Sequence, residues 1–299
     1  MNTKKFCKEA AQLAEPFRIT DGKKFRLKDH DPDATDGLKK DEAHGMLEQS
    51  VELLRELQEK LYAQDRWAML LIFQGMDAAG KDGAIKHVMS GVNPQGCDVW
   101  SFKAPSHEEL DHDYLWRCHK VVPERGKIGI FNRSYYEEVL VVRVHPKLLQ
   151  NERLPPSTVT KHISEERYED INAFERYLVR NGIPVLKFFL HLSKKEQKKR
   201  FLERLEDSTK NWKFEMADVK ERGYWKDYQK AYQETIQNTA TKHAPWYVLP
   251  ADNKWFTRVM VAFAVITALN ELNLKFPDVE KSKRKELAKV RESLLHEDD

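Results

Sequence analysis

The sequence predicts a three-layer α/β fold, with a central parallel sheet between helices and a phosphate loop at the mouth of one strand. Three observations lead there. From Trp67 onward, short apolar runs alternate with amphipathic helical stretches, the pattern of a parallel sheet covered on both faces. One apolar run, Leu70-Leu71-Ile72-Phe73, leads into Gly75-x-x-x-x-Gly80-Lys81 and then a helix, which is the context a P-loop requires. Finally, 299 residues with 40% hydrophobic and 33% charged side chains suffice for one large core and are too apolar for a disordered chain.

The elements follow in order. Residues 1–40 are polar and interrupted by Pro16, Gly22, Pro32 and Gly37, so they read as an extended arm over the surface. Asp41 can cap the next helix, in which Leu47, Val51, Leu54 and Leu61 share a face, ending near Tyr62. Expected strands are Ala68–Phe73, Asp98–Phe102, Lys127–Asn132, Pro184–Leu192 and Trp246–Pro250. Helices are expected near Lys81–Gly91, His107–Lys120, Ser134–Val144, Thr160–Asn181 and Lys194–Leu205, then as a broken stretch over Ala217–Asn238. Lys254–Leu272 and Val279–Leu295 close the chain as helices. With neither repeat nor linker, residues 1–299 read as a single domain, with a basic lid over about 194–238.

Bulk properties narrow the function. Fifty-one Lys+Arg against 48 Asp+Glu leave a net charge of +3, so no global field draws the chain to nucleic acid, and any polyanion site is a local cluster. Lys4, Lys5 and Lys8 stand near the N-terminus without a signal-like apolar core, and the longest apolar stretch, Val259 to Leu269, is too short to span a bilayer. The expectation is a cytoplasmic protein with no membrane partner. Cys7, Cys97 and Cys118 lack C-x-x-C spacing and read as reduced thiols rather than a disulfide scaffold or zinc site. His107 and His112 are five apart, not the four that zinc on a helix face requires.

In the phosphate loop, Gly75, Met76, Ala78, Ala79, Gly80 and Gly83 supply backbone that turns several N–H groups inward. The helix N-terminus and the Lys81 ammonium meet phosphate oxygens there. Two positions depart from the usual pattern: Asp82 replaces the Ser/Thr that usually holds Mg²⁺, and Asp77 puts a carboxylate inside the loop. A carboxylate facing a polyanion repels it by several kcal/mol at about 4 Å unless a cation lies between. Asp77 is therefore expected to bind Mg²⁺, with Mn²⁺ as a substitute. Asp82 has two readings, a metal role or simple complementarity to the helix dipole.

A second apolar strand ends in Asn132-Arg133-Ser134-Tyr135-Tyr136-Glu137-Glu138, and strand C-termini are where ligands gather in such sheets. Arg133 can bridge transferring phosphates, Asn132 can orient a metal-bound water, and Glu137 or Glu138 can supply a metal carboxylate. A blander account also exists for Ser134 and Glu137, as an N-cap and its capping box. Between Lys194 and Lys213 stand eight Lys/Arg against four acidic residues. Such a run is by default a solvated face. Its place after a core strand of a P-loop protein favours a lid instead, with Arg200 and Arg204, four apart, gripping consecutive phosphates. Lys213 is counted with the phosphate-binding residues, and Lys86 and Lys103 have two readings, an extension of the positive track or simple surface lysines. No Ser/His/Asp constellation stands out, and a phosphate acceptor, already anionic, needs alignment and neutralisation rather than a general base.

These motifs resemble the polyphosphate kinase 2 family of polyphosphate:nucleotide phosphotransferases. Further blocks carry the resemblance: Asn93-Pro94-Gln95-Gly96, Asp113-Tyr114-Leu115-Trp116-Arg117, Ser193 to Phe201, Asn211-Trp212-Lys213, Trp225-Lys226-Asp227-Tyr228 and Ala244-Pro245-Trp246. The resemblance implies a fold like thymidylate kinase, Mg²⁺ dependence, a homo-oligomer (dimer or tetramer), and a lid helix on the path of polyphosphate. Its implied substrates are inorganic polyphosphate and adenine nucleotides, ADP and AMP. Many members carry Asp where this chain has Asn132. That difference, with Tyr136-Glu137-Glu138 following, is similar to the subgroup accepting both nucleoside mono- and diphosphates, and makes Asp77 with Glu137 or Glu138 the expected metal pair. The alternatives are an ATP-dependent nucleotide or nucleoside kinase, indifferent to polyphosphate, and a non-catalytic polyanion binder, indifferent to loss of Lys81.

Overall fold

A computed structural model describes residues 3–297 apart from Lys210 and Glu215; the side chains of Lys213 and Lys281 also lie outside the described set. The chain opens with α1 (Thr3–Ala14), β1 (Arg18–Ile19), α2 (Lys40–Gln64), β2 (Met69–Gln74), α3 (Lys81–Val88) and β3 (Cys97–Ser101). It continues through α4 (His107–Leu110), α5 (Trp116–His119), β4 (Ile128–Asn132), α6 (Glu137–Val144), α7 (Ile163–Arg180) and β5 (Val185–His191). The last part comprises α8 (Lys194–Glu206), α9 (Met216–Glu221), α10 (Trp225–Thr239), β6 (Trp246–Pro250), α11 (Lys254–Glu271) and α12 (Lys281–Leu295).

The six strands form one sheet in the order β1-β6-β5-β2-β4-β3. All pairs are parallel except β1 with β6. Chain order reverses at β2, which lies between β4 and β5, and such switch points open a crevice beyond the strand C-termini. The phosphate loop begins there. Residues of β2 alternate between two cores: Met69, Leu71 and Phe73 join one, Leu70 and Ile72 the other. Both faces are covered, so the strand is apolar without polar alternation. Helix α11 is buried without interruption from Val259 to Ile266, between the sheet and helices α1 and α2. No helix is long and apolar enough to cross a membrane among the described residues.

Four expectations are corrected. The N-terminal arm is not extended throughout: α1 buries Phe6, Cys7, Ala10 and Ala14, Phe6 meeting Phe263 edge-on at 5.8 Å. Burying a side chain such as Phe6 contributes roughly 1.5–3 kcal/mol, one part of what holds this charged helix on α11. The second helix begins at Lys40, and Glu42 reaches back to the Lys39 N–H (3.3 Å); Asp41 lies inside the first turn, where its charge suits the dipole. The helix expected over His107–Lys120 is two single turns, α4 and α5, with the Asp113 carboxylate accepting from the Leu115 N–H between them (2.9 Å). The expected lid segment includes α10, yet α10 buries Tyr228, Ala231, Tyr232 and Ile236 in the second core.

Candidate active site

The loop after β2 and the loop after β4 meet at the sheet's crevice. Gly75 has no room for a side chain, since a Cβ there would lie 3.0 Å from the Leu190 carbonyl oxygen and 3.0 Å from the Ala79 Cβ. Gly80, at φ 101°, precedes α3, a conformation that L side chains rarely adopt. Ala78 (φ 62°) and Arg133 (φ 65°) hold left-handed backbone without being glycine, the kind of local strain that persists where surrounding structure imposes it. For Arg133 one such restraint is visible: its N–H donates to the Phe73 carbonyl at 3.0 Å, stitching the second loop to β2.

Lys81 is buried, and its ammonium donates to the Gly75 carbonyl at 2.7 Å. Burial lowers its pKa, aided by the Arg133 charge and opposed by Asp77, Glu137 and Asp82. A buried ammonium under these forces gains from an incoming anion. Arg133 extends between two carboxylates, donating to Asp77 Oδ1 at 3.0 Å and lying 3.5 Å from Glu137 Oε2. Its pKa rises, chiefly through Glu137, against the effect of burial. Asn132 does not stand alone: its Nδ2 donates to Asp82 Oδ1 at 2.8 Å, a second tie between the loops.

Glu137 and Glu138 part company, as adjacent helical residues do when each advances about 100° around the axis. Glu137 turns to Arg133, and the Gln74 amide, with its nitrogen oriented to Glu137 Oε1 (3.0 Å) and its oxygen to the Ser134 N–H (3.1 Å), secures it from behind. It therefore completes no capping box. Glu138 turns away, to Arg167, which also holds Glu152. Burial and the Glu152 charge push the Glu138 carboxyl up to about 8, despite Arg167. Of the two alternatives expected beside Asp77, Glu137 is the one that shares a cation with it, while Glu138 lies on Arg167.

Arg200 also differs from expectation. It is 5% exposed and donates to the carbonyls of Ala78 (2.9 Å), Ala79 (3.2 Å), Ala251 (2.6 Å) and Asp252 (2.9 Å), with Glu196 on its Nε (3.0 Å). Five acceptors around one guanidinium make it a strut between loops rather than a free grip on a ligand. Gln197 on the same helix donates to the Asp77 carbonyl at 3.0 Å, so α8 is docked on the phosphate loop. Arg204, one turn on, lies 3.6 Å from Asp218 and faces the cleft.

The cleft is a cavity of about 720 Å³. It brings together Asp77, Ala78, Ala79, Gly80, Lys81, Asp82 and Gly83 with Lys103, Asn132, Arg133, Arg200 and Arg204. Gly75 and Met76 lie behind the loop, where their carbonyls face Lys81. Lys86 is exposed on α3 and lines no part of the cavity. The Lys213 side chain lies outside the described residues. One lining cation, Lys254, was missed in the sequence, and beside it stands Arg258; both open a helix that otherwise reads as pure core.

Beneath Arg133 the chain is locked by a buried network. Tyr135 and Tyr136 hydroxyls donate to Glu175 Oε1 (3.0 and 2.8 Å), and Lys187 donates to Glu175 Oε2 at 2.6 Å and to the Thr239 carbonyl at 2.8 Å. Every member sits in the core, and a satisfied buried network specifies one geometry.

With this geometry in place, comparison with known proteins is decisive. The family model for polyphosphate kinase 2 matches residues 37–277. The chain belongs to the polyphosphate kinase 2 family. Among its relatives in that family, the ADP-polyphosphate phosphotransferase of Rhodopseudomonas palustris is 49% identical over 282 residues, covering 93% of this chain and 97% of that one. The AMP/ADP-polyphosphate phosphotransferase of Meiothermus ruber is 42% identical over 271 residues, covering 90% and 97%. The crystal structure of polyphosphate kinase 2 from Arthrobacter aurescens superposes with a TM-score of 0.86 at 40% identity, covering 94% of this chain and 96% of that one. The chain thus shares its mostly parallel, helix-flanked sheet with a solved member of the family.

Proposed function

We propose that this phosphotransferase of the polyphosphate kinase 2 family moves the terminal phosphoryl group of inorganic polyphosphate to ADP, and also to AMP, by in-line displacement. The observation that carries the reading is the junction of the two strand-end loops through Arg133 and Asp77 at the wall of the cavity that also holds Lys81. The names of the two relatives, one for ADP and one for AMP/ADP, support both acceptors. Asn132 at the second loop adds support for the subgroup that takes mono- and diphosphates.

The donor set fits a divalent ion. Asp77 and Glu137 are hard oxygen donors already converging on one cation, the Arg133 guanidinium. Two carboxylates suit Mg²⁺, or Mn²⁺, which takes phosphate and water oxygens as its other ligands. When bound, the ion neutralises phosphate oxygens.

The protein's own groups do the rest. Lys81 leaves the Gly75 carbonyl for the acceptor phosphates, and the loop amides hold them. Arg133, displaced from the carboxylates, neutralises the transferring group, and Arg204 and Lys103 flank the donor. Preorganised charge of this kind suffices because the attacking oxygen is already anionic. Arg200 and Gln197 keep the loop in shape. We also propose a cytoplasmic homo-oligomer, dimer or tetramer: the free thiols Cys7, Cys97 and Cys118 accord with a reducing compartment, and light scattering counts the subunits.

The test mixes enzyme, Mg²⁺ and long-chain polyphosphate with ADP, or with AMP, and no ATP. ATP and ADP respectively are the expected products. No product from either acceptor defeats the reading; product from ADP alone removes AMP.

A further inference from the structure

On the opposite flank of the phosphate loop from Arg133, the first turns of α11 present Lys254 and Arg258, four residues apart and so on one helical face. Lys254 is exposed and Arg258 half-buried. Lys254 lines the main cavity and also a narrower one of about 200 Å³, whose floor is Ala79, Gly80, Gly83 and Ala84 and whose wall is Thr257 and Arg258. The two spaces share Ala79, Gly80, Gly83 and Lys254 as lining residues. A Cβ on Gly83 would lie 3.7 Å from Arg258 Nη2, so the guanidinium overhangs the first turn of α3.

Two features mark this groove as built for an anion. Neither Lys254 nor Arg258 has a hydrogen-bond or ion-pair partner among the described residues, although Arg200 beside them is fully engaged. Burial and repulsion from Arg200 press the pKa of both downward, with Arg258 adding to this at Lys254 and Glu203 and Glu196 opposing it there, and an anion between the two cations relieves the remaining repulsion. The floor adds the N-terminal end of α3, which favours negative charge. Its small residues leave backbone accessible and offer no ring on which a base could stack, so the space suits a thin, linear polyanion rather than a nucleoside.

We propose that the Lys254–Arg258 groove carries the phosphates of the donor chain that lie beyond the main cavity, making it the element that favours long polyphosphate over short. This inference rests on the polyphosphate reading above and adds a path and a chain-length preference to it. With Arg200 engaged as a strut, Lys254 and Arg258 on α11 supply a second pair of cations four apart, beside Arg204.

The experiment compares kcat/KM for long-chain polyphosphate with that for tripolyphosphate, ADP being the acceptor. It uses the unaltered enzyme, Lys254→Gln, Arg258→Gln and the double variant. The long-to-short ratio is expected to fall about tenfold for each charge removed, the worth of one charge-assisted hydrogen bond, and Arg258→Lys restores part of it. The dependence of KM for the long donor on salt becomes shallower in the double variant. A ratio equal to that of the unaltered enzyme overturns the proposal, whatever happens to the absolute rates. Because Lys254 is exposed, its single variant keeps the test decisive should Arg258→Gln fail to fold. If the unaltered enzyme uses neither donor, the functional reading has failed, and that outcome is visible before any variant is made.

Discussion

Arg133 Nη2 lies 3.0 Å from Asp77 Oδ1, although the two residues belong to loops that leave different strands. The guanidinium fills the space between Asp77 and Glu137, so an internal cation balances two carboxylates that would otherwise repel a phosphate chain.

Replacing Asp77 by Asn or Ala is expected to reduce kcat at least about 100-fold, the scale seen when one transition-state electrostatic contact is lost. Its side chain is 27% exposed, so the midpoint of urea unfolding should move little. Full turnover in the Asp77→Ala enzyme, or in excess chelator, contradicts the role given to this carboxylate.

Arg200 and Arg204, neighbours on α8, are expected to behave oppositely. Arg200→Ala strands Glu196 and four backbone carbonyls at the phosphate loop and should destabilise by roughly 3 kcal/mol, as when one partner of a buried ion pair is removed. Arg204→Ala should leave the unfolding free energy within about 0.5 kcal/mol while raising KM for polyphosphate. Denaturant titration beside steady-state kinetics separates them, and equal stability losses would refute the strut.

Glu138 gives a pH signature. Its folded pKa, about 8, exceeds the ordinary carboxylate value, so the native state holds a proton that the unfolded chain has released. The stabilisation is complete below the ordinary carboxylate range and is lost as pH rises through about 8. Glu138→Gln should flatten that decline in a series of unfolding curves; an unchanged slope would place the proton elsewhere.

In the buried network, Lys187→Met leaves Glu175 charged with only two tyrosine hydroxyls, and about 3–5 kcal/mol of stability should go with it. Adding Glu175→Gln is expected to recover part of this, because the orphaned charge is removed. Calorimetry on the single and double variants reads the coupling, and simple additivity would deny it.

Much of this architecture could be read from the chain. The run Met69 to Phe73 is apolar on both faces, and Gly75 and Gly80 punctuate it at P-loop spacing, so local chemistry alone placed the strand, turn and helix. Helix α1 was harder: Phe6, Ala10 and Leu13 carry a helical period, but Lys4, Lys5 and Lys8 and the later prolines and glycines obscured it until α11 supplied a surface. The basic run from Lys194 disclosed its charge but not its orientation, and only packing shows Arg200 facing inward. Lys254 and Arg258 were illegible for a different reason, since two cations at the head of an apolar helix acquire meaning only when the phosphate loop is folded beside them.

The short antiparallel strand β1 has a bearing on assembly. Two residues long, it occupies one border of the sheet and offers almost no ladder for another chain to extend. At the other border, β3 pairs with β4 alone among the described strands and leaves Val99 and Trp100 exposed. Backbone joining between molecules therefore has one available side, and a contact made side to like side uses up both partners. Were two chains to join there, growth along the sheet would halt at a closed pair and could not run on into a fibre.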